Sequence, residues 1–178
     1  MLKIIYSEFI NALKYNDRGC LLKILKENPK FHNYVGEDGD LIEVTLLYNK
    51  KLLGYVFRCG LNPDVGQKKP LQTFLQNSIA EGNMKYVKLA IKHGADIERK
   101  NIHGETALGY ACNWGKYKIV RYLIKMGAKI NEIEKSSDGF CTTALDAALD
   151  VSHGYPKIVK YLRSKGARTY QELKNHMG

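Results

Sequence analysis

The chain has 178 residues, 44% hydrophobic and 26% charged, with 28 Lys and Arg against 18 Asp and Glu for a formal charge of +10. That balance is ordinary for a globular protein and excludes disorder over most of the length. No apolar run approaches the ~18 residues of a membrane span, and Lys3 and Glu8 interrupt what would be the apolar core of a secretory leader. A cytoplasmic location without membrane contact is therefore expected.

Residues 5–35 carry Phe9, Ala12 and Leu13, a turn at Asn16-Asp17, then Leu21, Leu22, Ile24 and Leu25 before Asn28-Pro29. This spacing predicts a helix pair. Its other face bears Lys14, Arg18, Lys23 and Lys26, which suits a cap that shields the end of a stack from water. Residues 36–67 open at Gly39-Asp40 and close at Cys59-Gly60-Leu61-Asn62-Pro63-Asp64. Leu41, Val44, Leu47, Leu52, Leu53, Val56 and Phe57 are the expected apolar face.

Residues 68–100 and 101–133 repeat one pattern. Thr73 to Thr106 is 33 residues, and Gly94 to Gly127 is again 33. In the second copy a turn at His103-Gly104 leads into a short helix ending at Asn113-Trp114-Gly115, and Ile119, Val120, Leu123 and Ile124 put one apolar stripe on the next helix. Neither helix of such a pair can bury its apolar face alone, so the unit requires copies on both sides. Residues 138–168 form the last copy. Glu134 to Ser137 read as four residues added before its hairpin, and Asp150 to His153 as a lengthened joint between its helices. Thr169 opens a final short helix over 169–176.

At Gly104-Glu105-Thr106-Ala107-Leu108, Ala111-Cys112, Gly115-Lys116 and Gly127-Ala128-Lys129-Ile130-Asn131 the chain resembles the ankyrin repeat, as it does at Gly94-Ala95-Asp96-Ile97-Glu98. The family's Pro and His after Thr are absent; Ala107 and Gly109 stand there, and Phe74 and Gln76 one period earlier. The resemblance implies an all-α solenoid of about five helix-turn-helix repeats with short hairpin loops, forming one domain over 1–178.

Chemistry is sparse. There is no phosphate loop, nucleophile elbow or zinc-protease motif, so no enzyme is expected; His153 with Cys141 or Asp146 is the nearest thing to a dyad, and nothing orients it. Cys20, Cys59, Cys112 and Cys141 show no Cys-x-x-Cys and no His at ligand spacing, which implies free thiols, no metal and no cofactor. His93 precedes a helix-ending glycine, where a cation would suit the helix C-terminus.

The resemblance instead implies recognition by hairpin tips and first-helix ends on a concave face. In 101–133 these are Ile102, His103, Glu105, Asn113 and Trp114; one repeat earlier they are Lys69, Pro70, Gln72, Ala80 and Glu81; in the last they are Gly139, Phe140, Thr142, Asp150 and Val151. Trp114, the only tryptophan, stands where the repeat asks for no large side chain and is the expected anchor, with Phe140 second.

Lys85, Lys88 and Lys92, then Lys118, Arg121 and Lys125, then Lys157, Lys160 and Arg163 recur on successive second helices as a basic outer wall. The expected partner is a protein with an acidic surface, not a small-molecule substrate. Stand-alone arrays of this size resemble bacterial ankyrin proteins, including immunity proteins that occlude a toxin domain, and host-directed effectors and viral ankyrin proteins. Nucleic-acid binding by the basic outer face is the alternative reading, weighed against by the absence of RNP-like aromatics, a zinc motif or a recognition helix.

Overall fold

The computed structural model describes residues 1–64, 72–150 and 154–177. It contains two compact units, Met1–Lys68 with Lys92–Ala95, and Lys69–Ile91 with Asp96–Gly178. Each is taken by itself.

In the first unit α1 (Leu2–Lys14) packs on α2 (Arg18–Glu27) and α3 (Leu41–Asn49), and α2 on α4 (Leu53–Arg58). The turn between α1 and α2 passes through Asn16 at φ 56, and the Asp17 carboxylate accepts from the Cys20 N–H at 2.9 Å to cap α2. Phe9, Leu13, Leu21, Leu25, Phe31 and Leu53 fill the core, with the Phe9 and Phe31 rings edge to face at 5.7 Å. A short hairpin precedes α3: β1 (Val35–Gly36) pairs antiparallel with β2 (Gly39–Asp40). Asp40 and Glu43 then form a capping box.

Two sequence expectations change here. Leu47 is 64% exposed, while Ile42 and Thr45 are buried. Leu47 lies six positions after Leu41, roughly two-thirds of a turn around the helix axis from it, so it cannot share the stripe of Leu41, Val44 and Thr45. His93 packs its ring on Phe57, with centroids 5.6 Å apart. Burial, with Lys92 and Arg58 nearby, pushes its pKa down, which works against a helix-end cation and leaves the ring contact as its observed role.

The second unit contains three helix pairs: α5 (Phe74–Ala80) with α6 (Met84–Lys92), α7 (Ala107–Asn113) with α8 (Tyr117–Lys125), and α9 (Ala144–Leu149) with α10 (Pro156–Ser164). The final helix is α11 (Tyr170–Met177). First helices stack as α5, α7, α9; α8 meets α10 in a second layer. Thr73, Thr106 and Thr143 start the first helices, each hydroxyl accepting from the N–H three residues on. The spacing lengthens from 33 to 37 residues across the last interval, matching the four extra residues. Every residue of α7 from Ala107 to Cys112 is buried, as a helix flanked on both sides must be. Side chains tie successive repeats together: Gln76 Nε2 donates to the Glu105 carbonyl at 2.8 Å, and Lys100 Nζ to the Ile133 carbonyl at 2.9 Å.

The extra residues do not precede the last hairpin; they build it. Glu134 and Lys135 form β3, which pairs with β4 (Cys141–Thr142) in the register Glu134 to Thr142 and Lys135 to Cys141. Gly139 turns the chain at φ 85. In α11, Thr169 and Glu172 exchange capping hydrogen bonds, and Glu172 also accepts both guanidinium nitrogens of Arg163.

Candidate interaction surface

The tips and first-helix ends of the second unit are held by a polar framework. Asn101 Oδ1 accepts from the N–H groups of His103 and Glu105, and its Nδ2 donates to the Glu105 carboxylate at 2.8 Å. This closes the turn that presents Ile102 and His103 to solvent. At Gly104, with φ 79, a Cβ would collide with the Lys135 carbonyl oxygen, so the tip lies tightly against β3.

Behind the tip sits Glu134, 5% exposed. Its Oε1 accepts from the Thr106 N–H at 2.7 Å and from the Thr106 hydroxyl at 2.5 Å. In α5 and α9 the corresponding threonine N–H is accepted locally, by Gln76 and Asp146. In α7 that local position is Gly109, which has no side chain, and a Cβ there would strike the Glu134 carboxylate. The missing cap is thus supplied from the next repeat. Burial is the largest influence on Glu134 and pushes its carboxyl up to about 7, although the Thr106 hydrogen bonds pull the other way.

Trp114 is 49% exposed, one side of its ring against Tyr110 at 6.0 Å between centroids. Tyr110 is fixed in turn by Gln72, whose amide donates to its hydroxyl at 2.5 Å. Phe140, at the turn of the β3–β4 hairpin, is 75% exposed and does not fold onto its own loop. Asn113, Glu81, Thr142 and Asp150 are also exposed. Glu105 is half-buried and belongs to the framework as much as to the surface. Lys69, Pro70, Val151 and His153 lie outside the described residues.

The fold brings Glu105, Asn113, Thr142 and Asp150 to one cleft of about 600 Å³, together with Glu134, Asp146 and Tyr170. Leu149, exposed at the end of α9, also lines it. Sequence reading missed Leu149, Asn101 and Glu134. Asn101 was detectable, since an Asn two residues before a His-Gly turn suits an Asx turn. The cleft is acidic, whereas α6, α8 and α10 carry Lys and Arg without a single Asp or Glu. An acidic partner surface therefore suits the second helices better than the tips.

Among the described residues no group of three or more His, Cys, Asp and Glu could hold a metal ion, and no helix is long and apolar enough to cross a membrane. All four cysteines are free thiols; Cys112 is fully buried, which raises its pKa and makes it a packing residue.

Stacked helix pairs joined by tight turns, with apolar side chains held out at the tips, define a repeat-built interaction scaffold. A family model for ankyrin repeats (3 copies) matches residues 41–134, and another for ankyrin repeats (many copies) matches 110–163. The chain belongs to the ankyrin repeat family. It is 44% identical over 54 residues to human protein phosphatase 1 regulatory subunit 27, covering 30% of this chain and 35% of that one. With the Arabidopsis thaliana E3 ubiquitin-protein ligase XBAT32 it shares 34% identity over 131 residues, 72% of this chain and 23% of the ligase. The chain thus spans about a third or less of these two curated relatives. The crystal structure of an ankyrin repeat domain from Acinetobacter baumannii superposes with a TM-score of 0.65 at 24% identity, covering 90% of this chain and 81% of the other. That likeness concerns the fold alone.

Proposed function

We propose that this chain binds a protein partner through the tips and first-helix ends of its second unit, and acts by covering the partner's working surface. The observation that carries this reading is the set of large apolar side chains left exposed there: Ile102, Trp114, Phe140 and Leu149. Scattered exposed apolar residues need no explanation, but these four lie at the tips and first-helix ends of two adjacent repeats. Trp114 offers the area and rigidity of an interface anchor.

The repeats read from the 33-residue period, 36–67, 68–100, 101–133 and 138–168 behind a cap at 5–35, act in this reading as one array. Occlusion in the cytoplasm without catalysis suits a scaffold of stacked repeats, and an inhibitor or immunity protein against a toxin domain is the form we favour. The regulatory-subunit name of the human relative agrees with action through a bound partner.

The test is to isolate the co-purifying partner with tagged chain and measure its affinity for Trp114→Ala and Phe140→Ser. Loss of an anchor of about 2 kcal/mol corresponds to a roughly thirtyfold weaker complex for Trp114→Ala. Unchanged affinity in both variants would overturn the assignment of this face.

A further inference from the structure

The second helices carry a feature that the tip surface does not use. On α8, Lys118, Arg121 and Lys125 recur at i, i+3 and i+7 opposite the buried Ile119, Val120 and Leu123. Lys85, Lys88 and Lys92 repeat that spacing on α6, and on α10 Lys157 and Lys160 take the first two positions while Arg163 follows at i+6. All nine are exposed, and among the described residues only Arg163 is ion-paired. Like charges in such a row repel one another. Tyrosine rings accommodate two of them: Arg121 lies 5.9 Å from the Tyr117 ring and 5.8 Å from Tyr161, and Lys88 lies 5.8 Å from Tyr122; Lys165, just past α10, also lies 5.8 Å from Tyr161.

Between α8 and α10 these groups enclose a groove of about 510 Å³. Lys118, Lys125 and Lys165 stand on its rim, and Tyr122, Ile124 and Tyr161, all half-buried, line it. Exposed cations beside a half-buried apolar lining select a flexible anion that also carries an apolar group. Two macromolecules present themselves. Single-stranded nucleic acid needs free ring faces on which its bases can stack. Here the Tyr161 ring is already engaged by Arg121 and Lys165 and the Tyr122 ring by Lys88. A carboxylate needs no ring face and pairs directly with the lysine ammonium groups.

We propose that the groove between α8 and α10 docks an acidic peptide segment of a protein partner, with its carboxylates on Lys118, Lys125 and Lys165 and an apolar side chain on Ile124. This site is separate from the tip surface and stands or falls independently of it.

The experiment uses the full chain and a short fluorescein-labelled peptide of Asp and Glu with one central Leu, followed by fluorescence anisotropy. Binding should weaken steeply with added salt. Reversal at Lys118→Glu with Lys125→Glu should weaken it on the order of tenfold or more, whereas Lys23→Glu with Lys26→Glu on α2, an equal change in net charge, should leave it within about twofold. Trp114→Ala should have no effect. These cations are exposed, so thermal unfolding midpoints should stay unchanged in both double variants. Four results would each overturn the proposal: no binding at low ionic strength, equal weakening by both reversals, weakening by Trp114→Ala, or tighter binding of oligothymidylate than of the peptide.

Discussion

The carboxylate of Glu134 reaches the N-cap of a helix 28 residues before it, taking both the N–H and the hydroxyl of Thr106. α5 and α9 meet the same need within one turn, through Gln76 and Asp146.

Glu134→Ala should therefore destabilise the protein by roughly 2–3 kcal/mol, because it leaves a buried N–H and a buried hydroxyl without an acceptor. Gly109→Gln in the same chain should recover much of that loss by restoring a local capping box of the Gln76 kind. Gly109→Ala alone should destabilise, since its Cβ meets the carboxylate, although alanine ordinarily favours a helix by about 1 kcal/mol over glycine. Urea unfolding of the four proteins checks the pattern.

Stability should also depend on pH through this one group. Its carboxyl stands at about 7 in the folded chain against 4.5 for an ordinary glutamate, so the folded state holds a proton that the unfolded state releases between those values. Stability is then fully present below about 4.5, falls as pH rises to about 7, and is flat above, a change on the order of 3 kcal/mol. Glu134→Gln should abolish that component while keeping an oxygen acceptor for Thr106, as read from unfolding curves taken across the window.

Phe140→Ser should leave the thermal midpoint where it is, because the ring is 75% exposed. Trp114→Ala should cost about 1 kcal/mol or less, the worth of its ring contact with Tyr110. A larger loss in either would mean that the side chain serves the fold, and would weaken its candidacy as an anchor.

Leu47→Glu should be tolerated within about 0.5 kcal/mol, whereas Leu53→Ala, at a site 1% exposed, should cost about 2–5 kcal/mol. Denaturant midpoints of the two variants compare a helix position that faces water with one that faces the core.

What could be read in advance was what is local or periodic. The 33-residue period, the helix-ending glycines, the Thr169 cap and the apolar stripe of α8 all follow from spacing, because one turn of helix sets their geometry. Leu47 is not separable from the core stripe by sequence, because α3 is apolar on several sides and its phase is poorly marked. Glu134 looked like the start of an inserted loop because the period counts residues and does not reveal partners across it. The tip residues Ile102, Trp114 and Phe140 were identifiable, since large apolar side chains stood where the fold asks for none. That Glu105, Asp146 and Asp150 would meet in one acidic cleft depended on the stacking of α7 on α9, which no single repeat encodes.

The borrowed cap has a consequence for how this protein is born. A ribosome releases residues in order, and while only Ile133 has emerged the amide of Thr106 still lacks its intended acceptor. The turn-and-helix unit that Thr106 opens is consequently left uncapped until the following residue leaves the exit tunnel. Synthesis of one repeat is thus the event that finishes the repeat before it.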